Sequence, residues 1–146
     1  MYDLLLKNAR VLDPGSGHDA TGDVAFAEGR VAALAENIAD SESRQVRDVT
    51  GLIVTPGLID LHTHVYWGGT SIGIDPDDYA LQSGTTTLVD AGTAGPANYR
   101  GVLKHVIEPA VPRILAFLNI AFPGIFAFSE EVMVGECGDF RLLNPS

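Results

Sequence analysis

After Thr55-Pro56-Gly57, runs of apolar and β-branched residues alternate with segments of helical length, and an alternation of that kind calls for a parallel sheet covered by helices. The first run is Leu58-Ile59-Asp60-Leu61-His62-Thr63-His64-Val65. A glycine-rich loop at Gly68-Gly69 follows, and then a predicted helix from Pro76 to Gln82, whose neighbours Asp75, Asp77 and Asp78 suit the positive end of a helix dipole. Thr85-Thr86-Thr87-Leu88-Val89-Asp90 reads as the second strand and ends at Ala91-Gly92. Tyr99, Val102, Leu103 and Val106 recur at helical spacing between Pro96 and Glu108, and Pro109 stops them. Arg113 to Ala121 is apolar almost throughout, as a strand buried on both faces would be. The order β-α-β-α-β requires crossovers, and these are right-handed.

Residues 1–54 have a different character. Tyr2 to Leu12 reads as a strand closed by Asp13-Pro14-Gly15-Ser16-Gly17; Asp23 to Ala27 and Arg30 to Leu34 flank the turn Glu28-Gly29; Gln45 to Val49 precedes Gly51. This pattern predicts a small β-meander, with the polar stretch Ala39 to Arg47 as an exposed loop. The chain therefore divides into residues 1–54 and residues 55–146.

Nineteen acidic residues against nine basic ones give a formal net charge of -10, a field that repels phosphate backbones and anionic lipid heads. Neither nucleic acid nor a membrane is an expected partner. The N-terminus lacks the basic stretch and long apolar run of a secretory signal. The apolar region Ile114 to Phe128 is broken by Asn119, Pro123 and Gly124 and is shorter than the roughly 20 residues a bilayer requires, so a soluble, cytoplasmic protein is expected. Cys137 is the single cysteine, which excludes an internal disulfide, and it reads as a small buried hydrophobe. Gly15-Ser16-Gly17 and Gly92-Thr93-Ala94-Gly95 lack the spacing of phosphate-binding loops, and no serine or cysteine lies in a nucleophile-elbow pattern.

The residues that can do chemistry are His62 and His64. In a strand, positions i and i+2 share a face, so the two imidazoles can converge on one ion at the C-terminal end of a parallel strand, where α/β folds place their sites. Neutral imidazole binds zinc, but a catalytic site takes about three protein ligands, so this pair is part of a site. The competing reading is a polar pair on an exposed strand face. Asp60 shares the face of the histidines and reads as a carboxylate that orients the strand or a ligand.

The stretch Thr55 to His64 strongly resembles the opening barrel strand of the amidohydrolase superfamily, and Gly84 to Gly92 resembles its second strand in the dihydroorotase-like and deacetylase-like branch. The first 54 residues look like that family's N-terminal β-sandwich segment. The resemblance implies an α/β fold in which the sandwich segment precedes the first three β/α units of a (β/α)8 TIM-type barrel. It implies one or two divalent ions, usually zinc, activating water against an amide or ester carbonyl, with His62 and His64 as the first two ligands. The family's bridging lysine, further histidines and proton-shuttling aspartate have no counterpart: Lys7 lies in the meander, Lys104 and His105 in a helix, His18 in a turn, and Asp90 ends the wrong strand. No catalytic residue is identifiable.

A complete barrel takes about 250 residues, so three units read as the opening part of a larger hydrolase, inactive alone. Its uncovered strand edges and apolar faces would favour association, including a homo-oligomer. In dihydroorotases the second residue after the histidine pair is typically an arginine that grips a substrate carboxylate; here it is Tyr66, followed by Trp67. That favours a deacetylase acting on a small N-acyl or O-acyl acid. The aromatic pair reads either as a stacking surface for the acyl group or as packing beneath a loop. Asn119 reads either as a donor to a substrate oxygen or as a partner of local backbone. Two alternatives stand beside the deacetylase: a non-catalytic remnant serving as an assembly module, and a deaminase using the same strand-one ligands.

Overall fold

The computed structural model describes residues 1–125. Cys137 and the end of the apolar region at Phe128 lie outside them. The chain divides into two compact units, the first Met1–Pro56 and the second beginning at Gly57. Among the described residues no helix is long and apolar enough to cross a membrane.

The first unit is one five-stranded sheet built from β1 (Leu4–Asp13), β2 (His18–Ala27), β3 (Arg30–Ala35), β4 (Val46–Asp48) and β5 (Ile53–Val54). Glu28 and Gly29 take φ of 53° and 71°, the pair of positive values that lets a two-residue turn follow the twist of the strands it joins. β1 and β2 run antiparallel from Leu4 opposite Phe26 to Asp13 opposite His18, with the register slipping between Leu6 and Ala9. Asn8, with φ 63°, sits in that slip.

A meander describes only the first three strands. β4 and β5 both pair with β1 in parallel, so the chain crosses back instead of folding on as a hairpin. Residues 39–47, expected as an exposed loop, carry a 3-10 turn at Asp40–Glu42 and the start of β4. Backbone pairing explains the difference: Leu5 and Tyr2 donate their N–H groups to the carbonyls of Gln45 and Glu42. Leu5, Ala25 and Ile38 form one apolar cluster, and Ala9, Val11 and Val24 another.

Beside these clusters Asp23 is buried, 1% exposed. Lys7 Nζ stands 2.8 Å from its Oδ2, which also accepts the Ile38 N–H at 2.8 Å, and its Oδ1 accepts the Asn8 N–H at 2.9 Å. Lys7 Nζ donates further to the Ile38 carbonyl at 2.6 Å. Burial pushes the Asp23 carboxyl up, but the Lys7 ammonium and the two amides outweigh it and hold it below its ordinary value. The unfolded chain therefore binds this proton more readily, and the stability the carboxylate contributes is present above about pH 4 and lost as pH falls through the folded-state value. Asp23→Ala, which leaves two amides without their acceptor and takes from Lys7 its nearest carboxylate while the Ile38 carbonyl still accepts from it, is expected to cost about 3 kcal/mol. Urea unfolding checks this, and its midpoint should fall less steeply for the variant than for the parent between pH 5 and pH 3.

The second unit has three parallel strands in the order β6-β7-β8: β6 (Leu58–Thr63), β7 (Thr85–Asp90) and β8 (Arg113–Ala116). Between β6 and β7 lies α1 (Pro76–Ser83), whose start is set by Asp75: its Oδ1 accepts the N–H groups of Asp77 and Asp78 at 2.9 and 3.2 Å, and Pro76 needs no donor there. Gly84 ends α1 with φ 72°, its N–H on the Ala80 carbonyl. Val65, Leu88 and Ile114 form the core, packed against Tyr79 of α1 and against Val106 and Ile107.

Three expected boundaries move. The second helix does not begin at Pro96, because Asn98 Oδ1 takes the Gly95 N–H at 2.9 Å and makes a turn first. α2 is Tyr99–Val102, and the coil widens into a π-type turn over Leu103–Ile107. β6 stops at Thr63, so His64 lies just past its end. β8 stops at Ala116 instead of Ala121, because Asn119 N–H turns to the Ala94 carbonyl. Nor is the third strand buried on both faces: Ile114 is buried, whereas Leu115 and, beyond the strand, Phe117 are exposed.

Candidate functional site

The end of β6 is anchored to β7 before any functional side chain appears. Thr63 Oγ1 donates to the Val89 carbonyl at 3.0 Å, and the Thr63 carbonyl accepts the Ala91 N–H at 2.8 Å. His62 and His64 flank this anchored residue, their ring centroids 5.3 Å apart and their planes at 79°. His62 is exposed and His64 half-buried.

His64 Nδ1 lies 2.9 Å from Thr93 Oγ1. Thr93 is fully buried, and Asp90 is 2% exposed. The Asp90 carboxylate joins the two loops: Oδ2 accepts the Val65 N–H at 2.9 Å and Oδ1 accepts the Thr93 N–H at 2.7 Å. One buried carboxylate thus fixes the residue after His64 and the residue that holds its ring. Burial pushes the His64 imidazole down, and the Asp90 carboxylate offsets this in part; the net value is below the ordinary one, so the neutral ring that binds metals is favoured.

Asp60 Oδ1 accepts the His62 N–H at 3.0 Å, and Oδ2 accepts the Tyr79 hydroxyl at 2.7 Å. The His62 amide, and after it Tyr79, hold this carboxyl below its ordinary range, while Asp60 raises the phenol of Tyr79. Asp60 therefore ties β6 to α1. The Tyr66 ring lies on Gly69, where any Cβ would strike it, and the Tyr66 carbonyl accepts the N–H groups of Gly69 and Thr70. Trp67, 64% exposed, borders a cleft of about 170 Å³ together with Asp75, Asp77 and His105, which neither His62 nor His64 lines. Asn119 has both ends of its amide on backbone: Nδ2 donates to the Gly92 carbonyl and Oδ1 accepts the Ala121 N–H, each at 2.9 Å.

Among the described residues no third histidine, cysteine or acid joins the pair to make a metal-holding group. His18 lies in β2, and His105 in the π-type turn. Sequence reasoning placed Asp90 at the end of the second strand, as a loop or substrate-side residue at best, and gave Thr93 no role. The signal available was an aspartate at a strand end three residues before a threonine, a spacing at which a carboxylate caps its own turn.

No family model matches the chain. A deacetylase of Agrobacterium fabrum is 38% identical to it over 141 residues, which are 95% of this chain and 35% of that protein. A solved dihydroorotase structure superposes with a TM-score of 0.73 at 36% identity, covering 85% of this chain and 32% of that one. An adenine deaminase structure gives a TM-score of 0.68 at 30% identity, covering 87% of this chain and 33% of that one. The chain belongs to the amidohydrolase superfamily. It spans about a third of the length of the curated deacetylases it matches. In this amidohydrolase-superfamily chain the ring of His64 is held from the end of β7 through Asp90 and Thr93. Asp90→Ala should strand two buried N–H groups, cost about 3 kcal/mol in urea unfolding, and speed hydrogen exchange at the Val65 and Thr93 amides well above that at the Leu88 amide.

Proposed function

We propose that these residues open a metal-dependent hydrolase that cleaves an amide or ester bond of a small N-acyl or O-acyl acid. The observation that carries this reading is the pair His62 and His64, with centroids 5.3 Å apart, at the C-terminal end of the first of three parallel strands. In this reading β6, β7 and β8 are the first strands of a (β/α)8 barrel, and the five-stranded sheet is the sandwich segment that precedes it.

The donor chemistry of the pair fits a divalent ion, zinc by family resemblance. Both donors are imidazoles, burial favours the neutral form of His64, and Thr93 occupies Nδ1 so that Nε2 is its remaining ligand atom. Such an ion, when bound, polarises a carbonyl and acidifies water. The chain's own residues do the rest of what is proposed here: His62 and His64 hold the ion, and Asp90 fixes the loop that follows His64 and the loop whose Thr93 meets its ring. Tyr66 and Trp67, on the loop leaving the pair, and Asn119, which closes the loop carrying Thr93, border the substrate. Among the described residues the pair gains no further ligand and no general base, and in this reading the chain alone binds metal weakly and turns nothing over.

A deacetylase is favoured over a dihydroorotase because Tyr66 stands where the latter's arginine is expected, and because the relative matched over 95% of the chain is named a deacetylase. The structural likeness to an adenine deaminase supports a second reading, deamination of a ring carbon. The two differ in product. The complete protein, loaded with zinc, should release acetate from N-acetyl and O-acetyl acids, lose this activity to a chelator and regain it with zinc, and His62→Ala should lower kcat by at least a hundredfold. Ammonia release from aminopurines instead would establish the deaminase, and hydrolysis indifferent to chelator would sink the metal reading.

A further inference from the structure

We propose that Thr93 is a positioning residue that dedicates one nitrogen of His64, Nε2, to metal binding. This rests on the metal reading of the histidine pair and goes beyond it. An imidazole has two nitrogens, either of which can ligate, and a ring free to turn presents both. His64 is not free in this way, because its Nδ1 sits 2.9 Å from Thr93 Oγ1. Thr93 is 0% exposed, so water does not compete for its hydroxyl. The distance is set by a single group: the Asp90 carboxylate takes the Thr93 N–H at 2.7 Å and the Val65 N–H at 2.9 Å, fixing the backbone at both ends of the contact. Among the described residues the His62 ring makes no side-chain hydrogen bond, so one histidine is fixed in place and the other adjusts to it.

A hydroxyl suits this role because it can both donate and accept. While Nε2 carries the ring proton, Thr93 donates to Nδ1. When Nε2 gives its lone pair to a metal the proton resides on Nδ1, the hydroxyl rotates, and Nδ1–H donates to Oγ1. The ring holds one proton and no charge in both states. The branched Cβ of threonine limits the rotamers from which the hydroxyl acts.

The test is nitrogen-15 NMR of the His64 ring in the full chain, titrated with zinc, for the parent, Thr93→Val and Thr93→Ser. Expected for the parent and Thr93→Ser is a single zinc-bound form in which Nε2 is the ligand and Nδ1 carries the ring proton. Thr93→Val should show zinc-bound forms through either nitrogen and zinc affinity about tenfold weaker, as loss of a ligand's hydrogen-bond partner typically gives. Thr93→Ala makes the same comparison should the valine variant fail to fold. Zinc binding through Nε2 alone and with parental affinity in the valine or alanine variant overturns this inference and leaves the metal reading intact. Absence of zinc binding by the parent overturns both.

Discussion

A carboxylate with no cation beside it among the described residues organises the second unit. Asp90 is buried at the end of β7, and what offsets the loss of water around it is a pair of backbone N–H groups, those of Val65 and Thr93. Hydrogen bonds to an ionised acceptor are stronger than neutral ones, and two of them converging from separate loops hold those loops at a fixed separation. The rest follows outward. Thr93, held by its amide, presents its hydroxyl to His64. Gly92 and Ala94, on either side of Thr93, give their carbonyls to the side chain and the backbone of Asn119. The exit of β8 is thus tied to the loop after β7, which is tied in turn to the end of β6. Three strand ends form one hydrogen-bonded rim, and the histidine pair stands on it.

Much of this was legible wherever the chemistry is local. The β-branched run Thr85 to Asp90 gave the bounds of β7, and the acidic residues around Pro76 gave the start of α1, because caps act on their own neighbours, while its end at Ser83 lies one residue past the expected Gln82. The histidine pair was legible from the period of a strand, although β6 ends before His64. What was not legible is non-local. β4 and β5 are three and two residues long, too short to carry a pattern, and their parallel pairing with β1 depends on partners some forty residues away. The third strand was drawn too long because apolar composition cannot say where a ladder ends; Asn119 decides that through the Ala94 carbonyl. Thr93 lies twenty-nine residues from His64, and no spacing rule reaches that far.

The two carboxylates near the histidines show how environment divides similar groups. Asp60 is half-buried, accepts a phenol and an amide, and links strand to helix. Asp90 is buried, accepts two amides, and links loop to loop. Sequence alone ranks them by distance from His62, which favours Asp60 as the group closest to the chemistry. The bonding pattern reverses that order: Asp90 acts on the ring of His64 through Thr93, while Asp60 acts on the backbone of His62.

In the first unit, β1 is the strand that β2, β4 and β5 all join. It is also the first to be synthesised. A nascent chain can close the β1–β2 hairpin as soon as Ala27 has emerged, but the other side of β1 stays open until Val46 arrives, an interval on the order of seconds at ordinary rates of translation. During that interval the future centre of the sheet is an edge, with its N–H and C=O groups available to any passing strand. The order of elements along the gene therefore makes this unit most vulnerable to wrong pairing during its birth, and slow codons between β3 and β4 would lengthen the exposure.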